Sequence, residues 1–263
     1  MDYGIDGNTA LVTASSSGLG NASAKALARE GADVVINGRS DDRLDEAVAD
    51  VRTLADGDVL GVRGDLTDAG DIEELVDETV AEFGGIDHLV TNAGGPPSGS
   101  FMETDDEDWY DAFDLLVMSV VRLVREAAPY LREDGGGTIV TIASRSVKEA
   151  IPSLVLSNSV RMGVIGLEKT LSKELAPEVR SNAVLPAPHE TSRQRELIEA
   201  AVERGEYDSY EQGLDEKGEI NPLGRIGDPM ELGDTVAFLS SENSSFLNGI
   251  AVPVDGGQGA SNL

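Results

Sequence analysis

The chain has 263 residues, of which 49 are Asp or Glu and 20 are Lys or Arg, so its formal net charge is −29 at pH 7. It contains no cysteine, which excludes disulfide bridges, zinc–thiolate sites and thiol nucleophiles. So negative a surface repels phosphate backbones and anionic lipid, and no apolar run is long enough to span a bilayer or to form a secretory signal. We therefore expect a cytoplasmic protein without a metal site that binds neither nucleic acid nor membranes.

The composition also bears on the salt concentration at which the chain folds. Only five of the twenty basic residues are lysine. Like-charge repulsion destabilises a compact chain in dilute buffer, whereas at about 1 M salt the Debye length shrinks to about 3 Å. An acid-rich, lysine-poor chain resembles the cytoplasmic proteins of salt-accumulating organisms, and we expect a halophilic source.

Short runs rich in Val, Ile and Thr alternate with segments of helical period. The early runs are continuously apolar, as in parallel strands covered on both faces. A helix is predicted at residues 20–30, where Gly31 is a natural stop. The predicted strands are residues 9–13, 33–37, 59–64, 89–91, 138–143, 179–185 and 250–254. This alternation predicts an α/β class Rossmann fold, a single domain over residues 1–263 with a doubly wound, parallel, seven-stranded sheet and helices on both faces.

Two stretches interrupt the alternation. Residues 94–108 form a Gly- and Pro-rich loop that runs into an acidic helix start, and residues 186–222 form a long insertion before the last predicted helix. Long loops at the carboxyl ends of strands usually form the substrate side of the site in such folds. We therefore expect the substrate to bind beside residues 186–222.

A glycine pair lies between the first predicted strand and the first predicted helix, in the turn Thr13-Ala14-Ser15-Ser16-Ser17-Gly18-Leu19-Gly20. Because Gly18 and Gly20 lack a Cβ atom, a pyrophosphate can approach the helix N-terminus, where free N–H groups and the helix dipole favour anions. Glycines are common in turns, but their position in a βαβ unit predicts a dinucleotide site.

The turn resembles the Thr-Gly-x-x-x-Gly-x-Gly motif of the short-chain dehydrogenase/reductases, with Ala14 in place of the first glycine. Further motifs similar to that family follow in order over essentially the whole chain, although Ala187 stands where glycine is usual. These motifs are Asp65-Leu66-Thr67, Asn92-Ala93-Gly94, Asn182 with residues 186–191, Pro222-Leu223-Gly224-Arg225 and Val254-Asp255-Gly256-Gly257. The nearest branch by resemblance is the carrier-protein 3-oxoacyl reductases.

The resemblance implies a nicotinamide cofactor, a small carbonyl or alcohol substrate, and a homotetramer or homodimer. It implies cofactor contacts at Thr13, Ser15, Ser16, Gly18, Leu19, Gly20, Arg39, Ser40, Asp65, Leu66, Asn92, Ala93, Gly94, Arg161, Pro186 and Thr191. NAD-specific sites place an acidic side chain at the end of the second strand to bind the ribose 2′-hydroxyl. Here Gly38 holds that place and Arg39 follows, so a guanidinium can pair with a 2′-phosphate, and NADP(H) is favoured over NAD(H).

The family reduces carbonyls with an Asn, a Ser, and a Tyr and Lys spaced Tyr-x-x-x-Lys. Ser144 aligns with the family Ser, but Ser157 stands at the Tyr position, Arg161 at the Lys position and Leu116 at the Asn position. A serine hydroxyl is a far poorer acid than a phenol, and arginine stays protonated in proteins. The tetrad is therefore degenerate, and the family's usual mechanism cannot operate unchanged.

Another residue can replace the missing proton donor. Lys148 follows Ser144 by four residues at the predicted rim of the site and is our first candidate, although a solvated loop lysine is an equally good interpretation. Tyr207, Tyr210 and His189 are further candidates that more often only pack in such positions, and His88 is expected only to pack.

Three basic side chains, Arg145, Lys148 and Arg161, also form a candidate island for a substrate carboxylate or phosphate. Pairing of this island with Glu149 and nearby acids is the alternative.

The sequence leaves three functions open. The first is an NADP(H)-dependent oxidoreductase, similar to the 3-oxoacyl reductases, with a non-standard proton donor and catalytic candidates Ser144, Lys148, Ser157 and Arg161. The second is a nucleotide-binding homologue without turnover that serves in sensing or assembly. The third is an isomerisation or elimination in the same pocket. We favour the first, since Ser144 and the basic rim remain.

Overall fold

A computed structural model describes residues 2–133 and 135–261. Its centre is a seven-stranded sheet in the order β3-β2-β1-β4-β5-β6-β7, in which every neighbouring pair is parallel. The strands are β1 Thr9–Val12, β2 Asp33–Gly38, β3 Val59–Arg63, β4 His88–Thr91, β5 Gly137–Ile142, β6 Val179–Pro186 and β7 Ala251–Val254. Because the strands are parallel, their carboxyl ends meet at one edge of the sheet, where sites of this fold class form.

Helices cover both faces of the sheet and connect its strands. They are α1 Gly18–Arg29, α2 Asp41–Arg52, α3 Ala69–Phe83, α4 Asp106–Phe113, α5 Ser119–Leu131, α6 Val155–Glu174, α7 Ser192–Glu203, α8 Tyr210–Glu219 and α9 Pro229–Ser240. Asp114–Met118 forms a π-helical turn that joins α4 to α5. One apolar core packs α1, α2 and α9 against the sheet, and a second packs α3, α5 and the end of α6 against the opposite face.

The predicted fold class is confirmed, and each predicted strand lies within one residue of an observed one at either end. Asp68 begins α3 by accepting hydrogen bonds from the backbone N–H groups of Gly70 and Asp71, and Gly84 ends it in the left-handed conformation with φ 89°. The predicted insertion at residues 186–222 contains two helices, α7 and α8. In the described residues, no helix is both long and apolar enough for a membrane span, and no cluster of acidic or histidine side chains is arranged for a metal ion.

Candidate functional site

The turn between β1 and α1 is shaped by two residues with positive φ angles. Ala14 has φ 45° and Gly18 has φ 62°. A Cβ atom on Gly20 would lie 2.6 Å from the carbonyl oxygen of Ala14 and 2.8 Å from Nδ2 of Asn92, so only glycine fits there. The turn therefore brings the first amides of α1 to the sheet edge with no side chain in front of them, as an anion site requires.

Buried polar side chains hold this turn to the neighbouring strands. Asn37, at the end of β2, accepts a hydrogen bond from the Ala14 N–H and donates to the carbonyl oxygens of Val62 and Gly64. The Thr13 hydroxyl donates to the Asn92 carbonyl, and Asn92 Nδ2 donates to the Ala14 carbonyl at 3.0 Å. These bonds fix the backbone before any ligand binds.

A cleft of about 590 Å³ opens at the carboxyl edge of the sheet, above this turn. The predicted cofactor residues that line it are Ser16, Gly18, Leu19, Arg39, Ser40, Asp65, Leu66, Asn92, Ala93, Gly94, Arg161, Pro186 and Thr191. Thr13, Ser15 and Gly20 lie behind the lining instead, where the hydroxyl of Ser15 donates to the Val12 carbonyl and accepts from the Asn37 N–H. Their contacts are to the protein backbone, so they shape the turn.

One end of the cleft is basic and open. A Cβ atom on Gly38 would lie 2.9 Å from the Ser16 Cβ, so a larger residue at the end of β2 would displace the turn. The Arg39 side chain is 79% exposed, and its Nη1 lies 3.7 Å from Asp65 Oδ2. Hydrogen bonds from Thr67, mainly from its N–H, lower the pKa of Asp65, with a smaller contribution from Arg39. Arg43 lines the same end and has no ion pair or hydrogen bond to the described residues.

Three serine residues, Ser144, Ser146 and Ser157, lie beyond the end of β5 and outside the lining of the cleft. Ser144 caps a short 3₁₀ turn, Arg145–Val147, by accepting a hydrogen bond of 3.1 Å from the Ser146 N–H. The Ser146 Oγ atom lies 3.2 Å from the Ser157 Oγ atom of α6. Two of the predicted catalytic residues, Ser144 and Ser157, therefore meet at this cluster.

Arg161 lies one turn further along α6 and lines the cleft. Its Nη1 group donates to the carbonyl oxygens of Ile142 and Ala143 at 3.4 and 3.2 Å. Burial lowers the pKa of Arg161 to about 10, which still leaves the guanidinium charged at neutral pH.

Leu116 belongs to the π-helical turn between α4 and α5 and is 2% exposed. It packs in a small apolar cluster with Leu156, Val160 and Val164. Its neighbour Leu115 reaches the cleft. The position that the sequence resemblance assigns to a polar Asn is therefore part of the core here.

The structure does not bring Lys148 to the cleft. The residue is exposed at the end of the 3₁₀ turn and lies outside the lining. Arg145 forms a short ion pair with Glu149, as the alternative interpretation of the basic island predicts. Of the three basic residues, Arg161 alone remains unpaired and in the cleft.

The other candidate donors also lie outside the cleft. Tyr207 packs beside Gly213, and the Tyr210 ring lies 4.5 Å below the guanidinium of Arg195. His189 is buried, its Nδ1 lies 2.8 Å from the Ala187 carbonyl oxygen, and burial lowers its pKa. His88, near the amino end of β4, lies between Asn8 and Thr138, and burial lowers its pKa to about 4.

Sequence reasoning missed part of the lining. The lining residues that were not among the predicted cofactor contacts are Ala14, Ser17, Asn37, Gly38, Arg43, Gly64, Gly95, Leu115, Ile142, Ala143, Ser192 and Arg193, although Ala14 and Ser17 belong to the predicted turn and Gly38 to the predicted ribose position. The signal for Asn37 was present, since it is a polar residue that ends the apolar run of β2. Arg43 gave a weaker signal, as the third residue of a helix that starts beside the cleft.

Comparison with known proteins identifies the family. Residues 13–258 match the family model described as enoyl-(acyl carrier protein) reductase. The chain is 33% identical over 257 residues to the 3-oxoacyl-[acyl-carrier-protein] reductase of Thermotoga maritima, an alignment that covers 96% of this chain and 98% of that protein. It is 32% identical over 255 residues to dehydrogenase/reductase SDR family member 4 of Caenorhabditis elegans, with 96% and 95% covered.

A solved structure agrees with these relatives. The L-sorbose reductase of Gluconobacter frateurii, complexed with NADPH and L-sorbose, superposes with a TM-score of 0.94 and 33% identity over 99% of this chain and 100% of that one. The parallel sheet, the glycine turn and these matches lead to one conclusion: the chain belongs to the short-chain dehydrogenase/reductase family, whose members are oxidoreductases.

Proposed function

We propose that the protein is an NADP(H)-dependent oxidoreductase that interconverts a carbonyl and an alcohol with a non-standard proton donor. The observation that carries this proposal is the cleft itself, which extends from the glycine turn after β1 and the basic end at Arg39 to Arg161 and the end of β5 at Ile142 and Ala143. The sequence similarity to a 3-oxoacyl reductase and the structural similarity to a reductase complexed with NADPH support it.

The residues of the cleft fit a nicotinamide dinucleotide. The bare turn at Gly18 would hold a pyrophosphate at the N-terminus of α1, and Asp65 and Leu66, which line the cleft after β3, would flank an adenine. Arg39 and Arg43 bring two positive charges to the end of β2, where Gly38 offers no carboxylate to a ribose 2′-hydroxyl. A 2′-phosphate is the ligand that matches these charges.

When bound, the cofactor supplies the hydride, and the chain must hold the substrate oxygen and deliver a proton to it. Ser144 and Ser157 stand where the family has Ser and Tyr, and Ser146 links them. Because a serine hydroxyl is a poor acid beside a phenol, with its reference pKa of about 10, we assign these hydroxyls to holding the oxygen and relaying a proton from water.

A second candidate function is nucleotide binding without turnover, in sensing or assembly. The apolar packing of Leu116 favours it, because a buried Leu cannot hold a relay water as an Asn amide can. The unpaired Arg161 in the cleft favours the oxidoreductase, because a purely nucleotide-binding pocket needs no buried charge at the end away from Arg39.

The cofactor proposal is tested by fluorescence titration of NADPH and NADH at molar KCl. We expect tighter binding of NADPH to the wild type, a large loss of NADPH affinity in Arg39→Asp, and little change in NADH affinity. Equal affinities in the wild type would contradict the assignment. Lys148→Ala serves as the matched control, because it removes a positive charge outside the cleft and is expected to leave both affinities unchanged.

Turnover separates the two functions. NADPH oxidation is followed against a panel of aldehydes, ketones and oxo acids. Activity in the wild type supports the oxidoreductase, and Ser144→Ala should then lower kcat. Tight NADPH binding with no turnover on any member of the panel would favour the binding protein.

A further inference from the structure

We propose that Arg161 binds a carboxylate of the substrate, so that the protein acts on an oxo acid or the corresponding hydroxy acid. This inference rests on the proposed oxidoreductase function and specifies its substrate class. It starts from a charge in the cleft that the protein itself does not neutralise.

Arg161 is 9% exposed, yet its hydrogen bonds are few and weak. Nη1 donates over 3.4 and 3.2 Å to two carbonyl oxygens, and Nε is buried without an acceptor. Nη2 donates to no group in the described part of the chain. Because Nε has no accessible surface, Nη2 is the donor left for a ligand in the cleft, and a carboxylate oxygen would accept a charge-assisted hydrogen bond from it.

No acidic side chain compensates this charge. Acids outnumber bases by 49 to 20, yet none of the ion pairs among the described residues includes Arg161. Arg145, the other basic residue at this end that is largely buried, is neutralised by Glu149. A buried charge without a counterion is destabilising, so a protein with surplus acids that keeps one inside a ligand cleft has an external anion to bind there.

The position of Arg161 argues that this anion belongs to the substrate. Its guanidinium contacts the carboxyl end of β5, whereas Arg39 follows β2 and the turn at Gly18 follows β1. The sheet order places β5 two strands from β1 and three from β2, or about 10 and 14 Å at a spacing of about 4.8 Å per strand. The phosphates of a dinucleotide bound at β1 and β2 are therefore remote from Arg161.

A carboxylate fits this site better than a phosphate. One guanidinium neutralises one negative charge, and a phosphate dianion would leave an excess charge in a chain that already carries −29. The carboxylate takes no part in the redox step. In the reductive direction, the hydride of NADPH adds to the carbonyl carbon and a proton from water adds to the oxygen, which gives a hydroxy acid and NADP⁺.

The test uses three oxo acids beside their methyl esters: 2-oxobutanoate, acetoacetate and 4-oxopentanoate. Binding is measured by saturation-transfer NMR with and without NADP⁺, so that no turnover is needed. A charge-assisted hydrogen-bonded pair predicts that at least one acid binds about tenfold tighter than its ester. Arg161→Met should abolish that preference, and Arg161→Lys should keep part of it. Equal binding of every acid and its ester, or a preference that survives in Arg161→Met, would overturn the inference.

NADPH titration of the same samples separates this inference from the function on which it rests. If an acid binds tighter than its ester but NADPH does not bind, the carboxylate site is retained and the cofactor proposal is rejected. NADPH binding without acid preference would keep the cofactor and reject the carboxylate site. If Arg161→Met weakens NADPH binding, and each acid binds the wild type no tighter than its ester, the arginine is assigned to the cofactor ribose instead. If Arg161→Met does not fold, the acid–ester comparison in the wild type and in Arg161→Lys decides.

Discussion

Replacing Arg161 by methionine should stabilise the ligand-free protein, which is an unusual expectation for a buried residue. Burial lowers the pKa of Arg161 from its ordinary value to about 10. Since each tenfold change in a protonation equilibrium corresponds to about 1.4 kcal/mol, holding this charge in the fold costs on the order of 3 kcal/mol at neutral pH. Methionine is similar in length, is apolar and adapts its shape to the space.

The loss of two hydrogen bonds offsets part of this gain. Each contributes about 1 kcal/mol, and water can replace them because Ile142 and Ala143 both line the cleft. The net gain is then about 1 kcal/mol, which corresponds to a rise in Tm of about 2–4 °C for a chain of this size. Because the charged form is lost only above pH 10, the difference in Tm should stay flat between about pH 6 and 9.

Arg180 provides the matched control. It is also partly buried, but its guanidinium donates to the carbonyl oxygens of Leu239, Ser241, Ser244 and Leu247 at 2.9–3.3 Å. Arg180→Met should therefore lower Tm. Differential scanning fluorimetry of the nucleotide-free protein at molar KCl measures both variants. A Tm in Arg161→Met that is unchanged or lower than that of the wild type would refute the argument that the charge of Arg161 is uncompensated.

Two further predictions concern stability against pH and salt. Burial raises the pKa of Glu168 to about 7, despite hydrogen bonds from Ser181 and Thr141, so the protonated form is favoured in the fold and stability falls as pH rises from about 4.5 to 7. Glu168→Gln should therefore have a higher Tm than the wild type at pH 8, and this difference in Tm should become smaller towards pH 5. A difference in Tm that is the same at both pH values would contradict the prediction. With a net charge of −29, Tm should rise from dilute to molar KCl, and a flat Tm would argue against a halophilic source.

The fold could be predicted from the sequence because strands that are buried on both faces of the sheet are continuous apolar runs. Val34, Val35 and Ile36 of β2 are completely buried, and the run ends where Asn37 turns to the neighbouring backbone. The glycine turn could also be predicted, because its requirement is local: a Cβ atom does not fit at the position of Gly20.

The lining of the cleft was harder to predict, because the direction in which a side chain points depends on residues that are distant in the sequence. Lys148 and Arg161 have the same charge and both follow Ser144, but the 3₁₀ turn directs Lys148 to solvent while the helical register of α6 directs Arg161 inward. The burial of the Glu168 carboxyl could not be predicted, because α6 contains many polar residues and Glu168 does not stand out among them. Pairing is equally non-local, and Glu149 could be assigned to Arg145 only from coordinates.

The apolar setting of Leu116 limits how this chain can change in evolution or in the laboratory. Building the family's tetrad in this chain requires an amide at position 116, and that amide would sit beside the apolar side chains of Leu156, Val160 and Val164. Each unsatisfied buried polar group costs about 1–3 kcal/mol. Substituting Ser157 and Arg161 alone would therefore leave the family's tetrad incomplete. The apolar packing of Leu116 therefore ties any reconstruction of the family's tetrad to a change in the apolar face of α6.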